Sequence, residues 1–260
     1  MKIFNKIKLL KNNILDQSNI FNNNNKILNN LSNNINFSEL SFKDTNINHQ
    51  SNIINTLLFL FWGIHEFNLI NNYNINNHYL VESVFHIMTL IWQYVGLFII
   101  SHDLHHNENP GIYENILGRL SLLCYGGFLL EDFSKKHSEH HKYPGNHKKD
   151  PDFFDGNIIF WYLNFMIEYI NFKQVIIQLS IYNILKYFEI SDEKMILFWL
   201  VPSVLASIQL FFYGTYLVHE KDGKIKNSNL PKWLITFTSY NFGNHINHHK
   251  YPKIPWFKLK

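Results

Sequence analysis

The feature that most restricts this chain is how its histidines are set between long apolar runs. His137-Ser-Glu-His140-His141 and His245-Ile-Asn-His248-His249 are two His-x-x-His-His boxes, and His102 and His106 form a His-x-x-x-His pair. If the three groups serve one site, the apolar runs between them must return the chain to the same face of a membrane each time. On a helix, positions i and i+4 share a face, so each outer pair of histidines can grip one ion. The middle histidines, His140 and His248, are turned by about 100° from their neighbours and can reach a second ion. His219, at the end of the last apolar run, adds a ninth imidazole to these eight. One ion takes about four to six ligands, so nine suit two ions. Imidazole suits Fe, Zn, Cu and Ni, and iron is the choice where the task is oxidation of an inert C–H bond.

The apolar runs set the topology. Residues 53–70 and 80–101 are each long enough to cross a hydrocarbon core of about 30 Å and are joined by the polar turn 71–77, which reads as a transmembrane hairpin. Residues 116–130 form a shorter run broken by Gly118 and Arg119 and read as interfacial. A crossing there would put His102 and His137 on opposite faces. Residues 161–170 are aromatic and carry Asn164 and Glu168, which again suits an interface. Residues 174–190 and 195–218 read as two further spans around the turn 191–194. The expected fold is therefore an all-α integral membrane bundle of about four transmembrane helices, with interfacial helices and the histidine boxes on one side. Of 23 Lys and Arg, only Lys186 and Lys194 fall near the opposite face, which makes the box side, with both termini, cytoplasmic or its equivalent. Charged residues are 17% of the chain, below the usual quarter or so, and hydrophobic ones are 46%. Asn-rich residues 1–50 read as a polar, poorly ordered leader before a membrane domain at 51–260. The net charge of +3 gives no reason to expect a nucleic-acid partner, and a single cysteine, Cys124, excludes an internal disulfide or a cysteine-based zinc site.

Carboxylates commonly orient ligating imidazoles through the second ring nitrogen. Asp103, beside His102, and Asp150 and Asp152, after the second box, are the candidates, with Glu139 a further one. His49 and His78 lie in Asn-rich stretches and read as surface residues. His65 and His86 lie within apolar runs and read as packing groups, and His147 falls outside box spacing. These residues alone leave open an oxidising enzyme or a membrane protein that binds zinc.

Over residues 98–259 the chain resembles the bacterial and algal β-carotene ketolases, within the membrane fatty-acid desaturase and hydroxylase superfamily. The resemblance rests on His102-Asp-Leu-His-His106, Tyr125-Gly-Gly-Phe, His137-Ser-Glu-His-His141 and Asp150-Pro-Asp-Phe153, then on Pro202-Ser-Val-Leu-Ala-Ser-Ile-Gln-Leu210, Phe212-Tyr-Gly-Thr-Tyr-Leu-Val-His219 and the final box with Pro252, Pro255 and Trp256. It implies a non-haem di-iron oxygenase that uses O2 and an external electron donor such as reduced ferredoxin. Its substrate would be a carotenoid drawn from the surrounding lipid, and the C4 methylene of a β-ionone ring would be hydroxylated twice and dehydrated to a ketone. A carotenoid ring hydroxylase or an acyl-lipid desaturase on the same scaffold is the alternative. The resemblance also implies that His102, His106, His137, His140, His141, His219, His245, His248 and His249 hold the metal. The chain departs from the family pattern at His105, Asn107 and Glu220.

Overall fold

The computed structural model describes residues 44–75 and 80–260. Residues 1–43, and with them most of the expected leader, lie outside it, as does His78. The described chain is helical, and its one β-type pairing is the isolated bridge between His219 and Ile225.

Helix α1, Thr45–Asn72, begins six residues before the expected boundary at 51. Asp44 accepts hydrogen bonds from the Asn46 and Ile47 amides, supplying the side-chain cap that the exposed first turn needs. Helix α2 is Leu80–His106, and α7 is the continuous helical stretch Asp192–Val218. These three are long and apolar enough to cross a membrane. They differ in placement: half of the apolar window of α2 is buried, against 22% for α1. A helix apolar all round belongs inside, so α2 forms the axis against which α1, α3 (Ile112–Gly126) and α7 pack. Leu90, Tyr94, Val95 and Ile99 of α2 are fully buried, whereas α1 turns Leu57, Ile64 and Phe67 outward. Within α7, Met195–Leu200 is wound as a π-helix. Pro202 lies two residues beyond it, and its missing N–H and ring bulk oppose regular α-helical bonding in the turn before it.

Among the described residues the helices long and apolar enough to cross account for three of the four expected spans. The segment expected at 174–190 is α6, Phe172–Tyr187, whose 16 residues reach about 24 Å at 1.5 Å per residue. That is short of a hydrocarbon core of about 30 Å. The helix before it, α5 (Ile158–Tyr169), stays at the histidine end, with Trp161 6.3 Å from the His219 ring and the Tyr169 hydroxyl donating to Asp152. So α6 alone carries the chain back, from the Gly126 carbonyl that Gln174 reaches to Asp192, which Tyr182 and Lys186 contact. By Lys194 the chain is back at the α1–α2 hairpin, where the Lys194 ammonium donates to the carbonyls of Ile70 and Asn71 at 2.8 and 3.4 Å.

The other end of the bundle carries α4 (Leu130–Lys142), α8 (Lys232–Ser239) and α9 (His245–Lys250). Tyr240 fastens this last region to α2. Its ring stacks on Trp92 at 5.2 Å, and its hydroxyl donates to the Trp92 carbonyl at 3.1 Å. A side chain on Gly96 would exclude it, since a Cβ there would lie 2.8 Å from the Tyr240 oxygen. Trp256 adds a second tie through its backbone N–H, which donates to Asp103 at 3.0 Å.

Candidate metal centre

The histidines come from the last turn of α2, from α4, from the residue after α7 and from α9. Their ring nitrogens converge into two groups. In the first, His102, His106, His137 and His248 keep their nitrogens within 4.8 Å of one another. His141 joins them, with Nε2 at 3.1 Å from His137 Nε2 and 2.9 Å from His248 Nε2. In the second, His140, His245 and His249 form a triangle with Nε2 separations of 3.1, 2.9 and 3.1 Å. His219 stands beside it, its ring 5.5 Å from that of His140 and 5.1 Å from that of His245. The stacked rings of His141 and His249, 4.2 Å apart, join the two groups.

Each box is therefore divided between the groups in the way that helical rotation dictates. His137 and His141 turn to the first and His140 to the second, while His245 and His249 turn to the second and His248 to the first. His102 is held in place by aromatic packing, its ring 6.2 Å from Phe98 and 4.7 Å from Phe242.

The donor set fits metal. A ring nitrogen has one in-plane position, filled by either a proton or a lone pair, so three mutually adjacent Nε2 atoms cannot all satisfy one another. His219 makes the point alone. Its Nδ1 donates to the Thr215 carbonyl at 2.8 Å, which leaves a lone pair on Nε2, and that buried atom has no hydrogen-bond partner. His140 is fixed in the same tautomer by Asp150, which accepts from Nδ1 at 2.8 Å. Convergent, neutral imidazole lone pairs are the ligand set that iron, zinc and copper take.

Of the expected orienting carboxylates, Asp150 makes the direct bond. It also accepts from the Gly145 amide at 2.5 Å and from the Asp152 amide at 2.9 Å. Asp152 is 3.9 Å from His140 Nδ1 and accepts from the Tyr169 hydroxyl at 2.5 Å. Asp103 lies 3.5 Å from His102 Nδ1, and its other oxygen receives the Trp256 amide. His105 stays outside both groups, near Ser138 at 3.5 Å, and exposed His147 rests on the edge of Phe153. His65 and His86 do more than pack: they lie 3.0 Å apart in the α1–α2 interface, and His65 bonds Gln93 at 2.8 Å. The sequence marks Thr215 only as part of the Phe212–His219 motif and gives it no role, because it acts through a backbone carbonyl, and Tyr169 stands outside any box.

Burial opposes charge on every imidazole of this cluster. It pushes His137, His245 and His248 well below the ordinary imidazole range, and neighbouring imidazoles add to the effect. The same cause brings His219 down to about 4, His141 to about 3 and His249 to about 2. For His140 burial also opposes charge, but the carboxylates of Asp152 and Asp150 outweigh it and raise this one group. An unfolded chain takes up protons at the six lowered histidines below about pH 6.5, and the folded one does not. Because the unfolded state then binds more protons, stability of the metal-free protein declines as pH falls through that value. Thermal unfolding of chelator-treated protein at about pH 8, 6 and 5 should give a Tm that drops along the series; a flat profile would contradict the burial of neutral imidazoles.

A cavity of about 570 Å³ reaches the cluster at His137. Phe98, Phe133 and Phe242 line it near the histidines, and Leu179, Ile196 and Leu200 line it farther along α6 and α7.

The sequence profile of the fatty acid desaturase family matches residues 78–195 and 190–260. A β-carotene ketolase of Paracoccus sp. strain N81106 / MBIC 01143 is 33% identical over 194 residues, covering 69% of this chain and 78% of that protein. One from Paracoccus sp. strain PC1 is 34% identical over 185 residues, covering 65% and 74%. A zeaxanthin 4-ketolase of Chlamydomonas reinhardtii is 31% identical over 189 residues, covering 66% and 42%. No solved structure matches significantly. With a bilayer-length helical bundle that gathers three histidine groups at one end, the chain belongs to the fatty acid desaturase family and, within it, to the β-carotene ketolases.

Proposed function

We propose that the protein is an O2-dependent di-iron oxygenase that converts the C4 methylene of a β-ionone ring into a ketone, taking β-carotene to echinenone and canthaxanthin. The observation that carries this reading is the end of an apolar cavity at His137, within a nine-histidine cluster split between two adjacent ion-sized groups. His102, His106, His137, His141 and His248 would hold one iron ion, and His140, His219, His245 and His249 the other. Iron bound there supplies the redox chemistry by which O2 oxidises an allylic C–H bond.

The chain's own residues do the rest. The aromatic walls at Phe98, Phe133 and Phe242 receive the ring and exclude water, and the α6–α7 side of the cavity accommodates the apolar chain behind it. Thr215 and Asp150 hold His219 and His140 with Nε2 unprotonated and aimed inward. Each hydroxylation uses one O2, two electrons and two protons, places one oxygen atom in the C–H bond and releases the other as water. Two rounds at one carbon give a geminal diol, which loses water to leave the ketone. The electrons come from a separate reduced carrier. The lysine distribution, with only Lys186 and Lys194 at the hairpin end, supports a cytoplasmic or equivalent position for the cluster.

Expression in a β-carotene-producing bacterium tests the reading. Echinenone and canthaxanthin are the expected products. Hydroxylated carotenoids without ketones would assign the chain to ring hydroxylation, altered fatty-acid unsaturation would assign it to desaturation, and unchanged pigment despite membrane expression would reject the proposal.

A further inference from the structure

The oxygenase reading requires electrons from outside, and the surface of the protein offers a place for them to enter. Residues 219–260 hold eight lysines against two carboxylates, a surplus of six positive charges in a chain whose net charge is +3. Part of that surplus meets a second basic loop over the second histidine group. Residues 142–149 contribute Lys142, Lys148 and Lys149 with no carboxylate, and residues 220–226 contribute Lys221, Lys224 and Lys226 with Glu220 and Asp222. Lys224 pairs with Asp222 and Lys226 with Glu220. The other four make no ion pair among the described residues, and all four are exposed.

The two loops are joined by a glycine contact. Gly145 and Gly223 have φ of 70° and 82°, and a Cβ on Gly145 would lie 1.6 Å from the Gly223 carbonyl oxygen. Only two glycines allow the backbones to meet this closely. The hollow they form opens to the surface between residues 144–146 and 222–225. Beneath it the connection to the histidines is short. The Gly145 amide donates to Asp150 at 2.5 Å, and the other oxygen of Asp150 accepts from His140 Nδ1 at 2.8 Å. The second loop leaves directly from His219, which bridges to Ile225.

The surroundings favour a water-soluble partner over lipid. No exposed large hydrophobic residue lies in residues 121–157 or 209–232, whereas α8, farther along the same basic segment, exposes Trp233 and Phe237. We infer that the lysine-flanked Gly145–Gly223 face docks a small acidic one-electron carrier protein, with Asp150–His140 and His219 as the short routes inward. The inference rests on the oxygenase reading for its purpose, and on the two loops for its location. Long-range attraction between opposite charges would speed the encounter and weaken with salt.

Binding, read without turnover, tests it. Full-length protein in nanodiscs of neutral lipid would be titrated with an acidic iron–sulfur ferredoxin, with a basic haem cytochrome as the control probe. The native protein should bind the ferredoxin and not the cytochrome, with a Kd that rises about tenfold or more from low salt to about 0.15 M. The triple variant K148E/K149E/K221E should bind at least about tenfold more weakly while keeping its metal content, and K232E/K258E, from the same basic segment but off this face, should stay within about twofold of native. Equal binding by native and triple variant overturns the proposal, as does an equal loss in K232E/K258E, which would reflect net charge alone. A difference seen only in discs containing anionic lipid would assign the lysines to headgroups and also overturn it. A chain that binds as stated yet makes no ketone would refute the carotenoid reading and leave the docking face standing.

Discussion

His140→Ala and His248→Ala should each reduce ketone formation by more than about a hundredfold, and they should do so by disabling different halves of the centre. The two residues sit in different boxes and, within their boxes, both occupy the middle position. His140 Nε2 lies 3.1 Å from His245 and 2.9 Å from His249, whereas His248 Nε2 lies 3.2 Å from His102 and 2.9 Å from His141. If the groups are separate ion sites, His140→Ala should lose the ion of the second group, and His248→Ala that of the first. Both positions are buried outside the candidate spans, so insertion of the bundle should survive. Activity within a few-fold of native in either variant would remove that histidine from the proposed ligand set.

Asp150→Ala should produce the second large effect, on stability and metal affinity together. The buried carboxylate accepts from His140 Nδ1 and from the amides of Gly145 and Asp152. Its removal strands three donors, each unsatisfied buried group costing about 1–3 kcal/mol. It also frees His140 to change tautomer, and losing such a partner typically weakens metal binding by about 10–100-fold. Thermal unfolding should therefore shift down, and metal titration should show the loss in one site of the two. Asp103→Asn makes the contrast: at 3.5 Å from His102 Nδ1 the carboxylate makes a looser contact, and the effect on the first group should be smaller. Equal losses in the two variants would contradict the ranking.

Much of the site was legible in the spacing. The rule that i and i+4 share a helical face, with the middle residue turned away, anticipates how His137, His140 and His141 divide, and α9 repeats the division. The three long helices were readable from hydropathy, because each must satisfy its backbone internally in lipid. Three features were not. The return is made by α6, and an apolar count over 174–190 cannot see that the helix stops at Tyr187. The start of α1 depends on a cap at Asp44 inside a stretch that composition marks as polar leader. The tautomer of His219 is fixed by a main-chain carbonyl, which leaves no trace in the identity of Thr215.

The central claim is a two-iron centre built from nine histidines. Elemental analysis of the native protein, purified from membranes of iron-replete cells and normalised to quantitative amino-acid analysis, tests it most directly. The account predicts about two iron ions per chain, falling to about one in both His140→Ala and His248→Ala. One zinc ion per chain with no iron, or a native iron content that neither substitution changes, would contradict it.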